Sequence, residues 1–287
     1  MNRTLQRLLA LMDLEQIGDG VFRGQSQDMG LPQVFGGQVM GQALHAALRT
    51  VPDRRGLHSY HCYFLRPGDS GSPIVYRVVS LRDGKSFSTR QVIAEQSGQE
   101  IFYLTGSFQR PENGVLHQDT MPQVPEPEAL IGEPDLIARR TEGMPPLLRR
   151  TLAGEQAFDM RPVNFHHPLD NATDDPLRYI WLKANGPLPD DDDSHLCLLG
   201  YLADFNFLPT ALQPHGISFL DPNLIIASID HAMWFHRPVR LDDWLLYAID
   251  SPCASGGRGY VRGRFFTRTG LLVASTAQEG LIRMKTR

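Results

Sequence analysis

Two stretches of this chain repeat one another, and the repetition limits the folds open to it. His61-Cys-Tyr-Phe-Leu-Arg-Pro67 is echoed by Ala232-Met-Trp-Phe-His-Arg-Pro238. Phe64, Arg66 and Pro67 recur as Phe235, Arg237 and Pro238, an offset of 171 residues. At that offset Thr105 recurs as Thr276, and Ser107 stands where the second copy has Gln278. Between these anchors each copy has two strand-like runs joined by a turn. The first pair is Phe87 to Glu95 and Ile101 to Phe108, about Ser97-Gly98; the second is Tyr260 to Phe266 and Leu271 to Ile282, about Thr269-Gly270. Runs of this kind, bounded by glycine turns, predict antiparallel hairpins. Matched anchors in matched order predict one structural unit used twice.

A helical candidate precedes each strand block. Gly36 to Thr50 carries Val39, Met40, Ala43, Leu44, Ala47 and Leu48. The second, from about Ser194 to Leu212, is apolar almost all round, which predicts a buried helix. Each half therefore reads as a strand, a buried helix and a meander: an α+β unit with a curved antiparallel sheet wrapped round a central helix. Proline marks the seam, since twelve of the 21 prolines fall between Pro111 and Pro189. The expected division is an N-terminal repeat at 1–112, a Pro-rich linker at 113–157 and a C-terminal repeat at 158–287. A short helix around Ala138 or Leu147 is compatible with the linker. Leu5, Leu8, Leu9 and Met12 have the spacing of an amphipathic helix that docks on the core.

Composition excludes several classes. Hydrophobic residues at 41% and charged residues at 21% are those of an ordinary globular protein. Twenty-eight Lys and Arg against 32 Asp and Glu give a net charge of −4, without the basic excess of a nucleic-acid binder. No apolar run reaches the ~18 residues of a membrane span. Cys62, Cys197 and Cys253 form neither a disulfide framework nor a CxxC zinc pair, so a reducing, cytoplasmic setting is expected. Gly24-Gln-Ser26-Gln-Asp28 and Gly216-Ile-Ser218-Phe-Leu220 lack the last glycine of a nucleophile elbow. Phosphate-loop, dinucleotide and HExxH patterns are also missing, and neither metal nor cofactor is expected.

Three polar residues stand out. Asp204 falls inside the second helical candidate, amid Leu198, Leu199, Leu202, Phe205, Phe207 and Leu208. A buried carboxylate is costly without partners; it is either a structural group satisfied by a hydroxyl or backbone amide, or a working one. Alternation along the last strand puts Gln278 on the same inward face as Leu272, Ala274, Thr276 and Gly280. Ser228 lies near the start of the strand-like run Leu224 to Phe235. A carboxylate, a hydroxyl and an amide are a set able to orient one water molecule. Two weaker binding candidates accompany them. Gly36-Gly37, opening the first helix, permits either close approach of a ligand to free amides or a tight strand-to-helix entry. Arg258 and Arg262 share a strand face with Tyr260 and Arg264, which reads as a solvated face or as an attractor for a phosphate-bearing substrate.

The sequence resembles the acyl-CoA thioesterase II family. The resemblance is carried by Gly24-Gln-Ser26, Val34-Phe-Gly-Gly-Gln38, Phe64-Leu-Arg-Pro-Gly-Asp69 and Leu81-Arg-Asp-Gly84 in the first half. In the second it is carried by Asp204-Phe-Asn-Phe207, Gln213-Pro-His-Gly216, Ile229-Asp-His231, Trp234-Phe-His-Arg-Pro238 and Ser275-Thr-Ala-Gln-Glu-Gly280. It implies a double hotdog fold and hydrolysis of acyl-CoA thioesters to free fatty acid and CoA, with no metal and no covalent acyl-enzyme. It also implies a homo-oligomer, and a water ordered by an Asp, a Thr and a Gln, carried over to Asp204, Ser228 and Gln278. Ser228 departs from the family threonine and lacks the methyl that stiffens χ1. Two other readings remain open: a hotdog dehydratase or hydratase, with Asp230-His231 as its nearest pair, and a non-catalytic acyl-CoA binding module.

Overall fold

The computed structural model of the chain describes residues 2–52, 55–171, 173 and 175–285. The amphipathic start folds as α1 (Arg3–Met12), capped by the Asn2 side chain and burying Leu5, Leu8 and Met12. β1 (Glu15–Gly18) and β2 (Val21–Gly24) lead into α2 (Gly36–Leu48), which buries ten of its residues. Then follow β3 (Gly56–Phe64), β4 (Ile74–Asp83), β5 (Phe87–Gln96) and β6 (Gln99–Gln109). The β5–β6 turn uses left-handed φ angles at Ser97 and Gly98, as a tight hairpin requires. After a proline-rich stretch containing α3 (Glu133–Ala138) and α4 (Pro146–Ala153), the same plan returns. β7 (Phe158–Pro162) and β8 (Leu177–Ala184) precede α5 (Asp192–Leu202). The chain ends with β9 (Leu224–Ser228), β10 (Asp230–Phe235), β11 (Leu245–Ser255), β12 (Arg258–Thr267) and β13 (Leu272–Met284).

This is a double hotdog. Among the described residues the strands form one 13-stranded sheet, in the order β1-β2-β4-β5-β6-β3-β10-β13-β12-β11-β8-β7, with β9 alongside β13. The halves meet where β3 pairs antiparallel with β10, and His61 lies opposite Ala232, its own counterpart at the offset of 171. A pseudo-twofold axis therefore passes between these two residues. Next to it the counterparts Tyr60 and His231 touch, Tyr60 Oη lying 3.1 Å from His231 Nδ1. The two central helices pack on each other through glycine: a Cβ at Gly200 would lie 2.7 Å from Leu44, and one at Gly41 would lie 3.0 Å from the Cys197 carbonyl oxygen. Burying a leucine such as Leu44 in this crossing is worth about 1.5–3 kcal/mol.

Two expected elements change shape. The second helix stops at Leu202 instead of running to Leu212. Asn206 takes a left-handed φ of 58°, and a 3-10 helix at Leu208–His215 begins with Pro209 as an early residue. Proline disfavours the helical conformation in the residue before it. The helix is capped by Asp191, whose side chain accepts from the Ser194 N–H. The run Leu224 to Phe235 is likewise divided at Ile229, whose N–H donates to the Glu279 carbonyl. The proline-rich stretch packs on the second half: Trp181 Nε1 donates to the Pro125 carbonyl, and Arg268 pairs with Glu126 and Glu128.

Candidate active site

Asp204 lies in the turn that follows α5, two residues beyond its end, not within the helix. Four contacts from different elements pin this turn. Tyr247 Oη of β11 donates to the Ala203 carbonyl at 2.8 Å. The Gly37 N–H donates to Asp204 Oδ2 at 3.0 Å. Arg178 Nη1 of β8 donates to Asn206 Oδ1 at 2.6 Å, and Thr210 Oγ1 donates to the Asn206 carbonyl at 2.9 Å. The Gly37 contact joins the halves chemically. Phe35, at the N-cap of α2, offers no side-chain acceptor, so the carboxylate of the second half satisfies an amide at the start of the first-half helix. Glycine is needed on both sides of that contact: a Cβ at Gly36 would lie 2.8 Å from Asp204 Oδ2, and one at Gly37 would overlap the Tyr201 carbonyl.

Opposite the turn stands β13. Its even residues from Leu272 to Gly280 face inward, and Gln278 is 1% exposed. Gln278 Nε2 donates to Ser228 Oγ at 2.7 Å. Ser228, the last residue of β9, sits across from Gly280 in the β9–β13 ladder, which brings it to this amide. The Gln278 amide also lies close enough to Asp204 to favour its ionised form. Asp204, Ser228 and Gln278 thus converge, although 74 residues separate the first from the last. Burial raises the Asp204 pKa to about 6, against the Gly37 N–H and the Gln278 amide, which favour its ionised form. Gln278 Oε1 is buried without a hydrogen-bond partner among the described residues. A buried polar atom of that kind calls for an explanation.

The weaker candidates separate. Gly36 and Gly37 belong to this site through Asp204. Arg258 and Arg262 do not join it: they project from the opposite face of β12, where Arg258 pairs with Glu279 at 2.9 Å and Arg262 with Asp250 at 2.6 Å. Further along that face Phe266 is buried with Trp181, Trp244 and Leu246 beneath Met121 and Val124 of the proline-rich stretch. Asp230 and His231 point to opposite faces of β10. Asp230 Oδ1 accepts from the Glu279 N–H, while His231 is buried between Tyr60 and Thr276. Burial lowers the His231 pKa to about 3, which holds the imidazole neutral. Among the described residues no group of three or more His, Cys, Asp or Glu side chains is arranged to hold a metal ion, and no helix is long and apolar enough to cross a membrane. Sequence reasoning missed the capping role of Asp204 and the polar partners of Asn206; the Asp204-Phe-Asn-Phe207 stretch was their only signal.

Flanking the Asp204 turn is a cavity of about 280 Å³ between α1, α4 and β7. Leu8, Met29, Phe158, Met160, Tyr201 and Phe205 form its apolar side, and Arg7, Asp28, Arg150 and Glu155 its charged side. Tyr201 and Phe205 also close on Phe35, with ring centroids 5.2 and 4.6 Å away.

Comparison with known proteins gives a consistent result. A family model described as acyl-CoA thioesterase matches residues 147–281, and one described as acyl-CoA thioesterase N-terminal domain matches residues 25–109. The chain is 45% identical over 283 residues to acyl-CoA thioesterase 2 of Haemophilus influenzae, covering 99% of both chains. It is 39% identical to human acyl-coenzyme A thioesterase 8, over 96% of this chain and 88% of that one. A crystal structure of an acyl-CoA thioesterase II from Mycobacterium marinum superimposes with a TM-score of 0.79 at 40% identity, covering 97% of this chain and 99% of that one. Matches to both halves, and full-length similarity in sequence and in fold, establish that this chain belongs to the acyl-CoA thioesterase family of enzymes.

Proposed function

We propose that this enzyme hydrolyses acyl-CoA thioesters to a free fatty acid and CoA, using a water held by Asp204, Ser228 and Gln278. The observation that carries the reading is the convergence of these three side chains from the α5 turn, β9 and β13. The Asp204 carboxylate draws a proton from the water, and the water oxygen attacks the thioester carbonyl carbon. The C–S bond breaks as the tetrahedral intermediate collapses, and the CoA thiolate takes up a proton. Gln278 Oε1 is an acceptor for the second proton of that water, and Ser228 Oγ holds the Gln278 amide in place. Thiolate is a good leaving group, so positioning of the water supplies much of the catalysis. The apolar side of the cavity beside Phe205, formed by Leu8, Met29, Phe158 and Met160, supports an acyl chain as part of the bound substrate.

Release of free thiol from acyl-CoA, followed with a thiol reagent, tests this. Asp204→Asn keeps the size of the side chain but removes the base, and its kcat is expected to fall by roughly 10²–10⁴. Ser228→Ala is expected to lower kcat with little change in KM, since it disturbs an interaction that acts in the transition state. Near-normal turnover in folded Asp204→Asn would end the reading. A binding module would give no steady thiol release in the wild type either.

A further inference from the structure

A second polar cluster lies behind the site, and the thioesterase reaction does not use it directly. Arg178 of β8 is 6% exposed and Glu133, the first residue of α3, is 8% exposed. Both are buried charges of kinds seldom found inside without a partner. Asn206 stands between them: Arg178 Nη1 donates to its Oδ1 at 2.6 Å, and its Nδ2 donates to Glu133 Oε1 at 3.2 Å. Asn206 is also one of two non-glycine residues with positive φ among the described residues, and it lies two positions after Asp204. A side chain bonded at both ends explains why a left-handed backbone is held here.

We infer that Glu133, Asn206 and Arg178 are positioning residues: together they lock the left-handed turn after α5 and so fix the direction of the Asp204 carboxylate toward Gly37 and Gln278. Glu133 belongs to the segment joining the two repeats, so that segment is part of the catalytic apparatus and not a tether alone. The charges are compatible with this role. Burial lowers the Arg178 pKa to about 10, while the nearby Glu133 carboxylate opposes the shift. Arg178 Nη1 and the Asn206 amide each reach one acceptor, so the Asn206 side chain is held from both ends, while Arg178 Nε is buried without a hydrogen-bond partner among the described residues.

The inference rests on Asp204 being the water-activating group, and the experiment separates the two ideas. In Glu133→Leu/Arg178→Met both charges leave together, so neither is stranded in the interior. Asn206→Gly keeps the left-handed backbone and removes both side-chain bonds, which guards against a folding failure of the double variant. Each is assayed by thiol release across pH beside Asp204→Asn, with melting temperature measured on the same preparation. A misdirected catalytic group costs up to ~10² in rate, so kcat is expected to fall about 10- to 100-fold with KM within about twofold. The acid midpoint of kcat is expected to move upward, because the misaligned carboxylate loses the Gly37 hydrogen bond and the nearby Gln278 amide that favour its ionised form. A purely structural cluster would lower the melting temperature without moving that midpoint. Wild-type kcat with an unmoved midpoint in either folded variant overturns the inference. Turnover surviving in Asp204→Asn would instead sink the reading of the site itself.

Discussion

Asp204 answers two demands at once. It caps α2 through the Gly37 amide, and it faces the Ser228–Gln278 pair. The sequence left a structural carboxylate and a working one as alternatives, and the geometry contains a backbone amide partner that either reading needs. Titration separates them. Burial lifts the folded pKa to about 6, above the ~3.9 of an exposed aspartate. Folding then favours the protonated form. Its contribution to stability is full below the unfolded value and is lost as pH rises through about 6. In the proposed mechanism catalysis runs the other way, since only the ionised carboxylate can take the proton. We expect kcat to rise with pH through a midpoint near 6. Over the same interval the melting temperature of the wild type is expected to fall relative to Asp204→Asn. Rate profiles and melting curves from about pH 4 to 8 check both. If the residual activity of Asp204→Asn keeps the same acid limb, another group sets it.

Elements were legible where a pattern repeats and obscure where one residue decides. Period-two alternation and the glycine turns placed both hairpins and the inward face carrying Gln278, because each strand residue adds to the same signal. The end of α5 had no such redundancy. Leu198 through Leu208 is apolar enough to read as one buried helix, and the break depends on Asn206 adopting a left-handed φ that its neighbours impose. The capping of α2 by a residue 167 positions away was equally hidden, being a product of helix-on-helix packing. That packing supplies its own test. In Gly37→Ala the new Cβ overlaps the Tyr201 carbonyl and comes within 2.5 Å of the Phe35 ring. Overpacking of this kind costs about 1–3 kcal/mol. Since the Gly37 amide is also the Asp204 donor, both melting temperature and kcat are expected to drop. Gly41→Ala meets the flexible Met12 sulfur at 2.8 Å and the Cys197 carbonyl at 3.0 Å, one turn further along. It should lower stability and leave the folded enzyme's kcat near wild type. Equal loss of kcat in the two variants would show that general loosening, not the Gly37–Asp204 contact, governs activity.

At the scale of the whole molecule, a pseudo-twofold scaffold carries a one-sided set of polar residues. The axis between His61 and Ala232 relates β5 to β12 at the 171-residue offset, yet the polar residues do not follow it. Where the second half has Gln278, the first has Ser107, which is tied to His58 Nε2 at 2.8 Å. Where the second has Ser228, the first has Leu57, a buried core residue. Two positions beyond α5 stands Asp204; two beyond α2 stands Thr50, whose hydroxyl donates to the Ala47 carbonyl and accepts from Arg90 Nε. The first-half counterpart therefore lacks a carboxylate, and its polar groups are occupied by structural bonds. Its contribution is the sheet seam and the Gly37 amide that steadies Asp204. The chain should accordingly bind one substrate per polypeptide. Calorimetric titration with a non-hydrolysable thioether analogue of acyl-CoA is expected to give a stoichiometry of one per chain. The heat should weaken in Gly37→Ala, whose lesion lies in the first half but reaches the second-half site. Two equal sites per chain would mean that the Thr50–Leu57–Ser107 side also binds, and would remove the argument that duplication here left a single centre of chemistry.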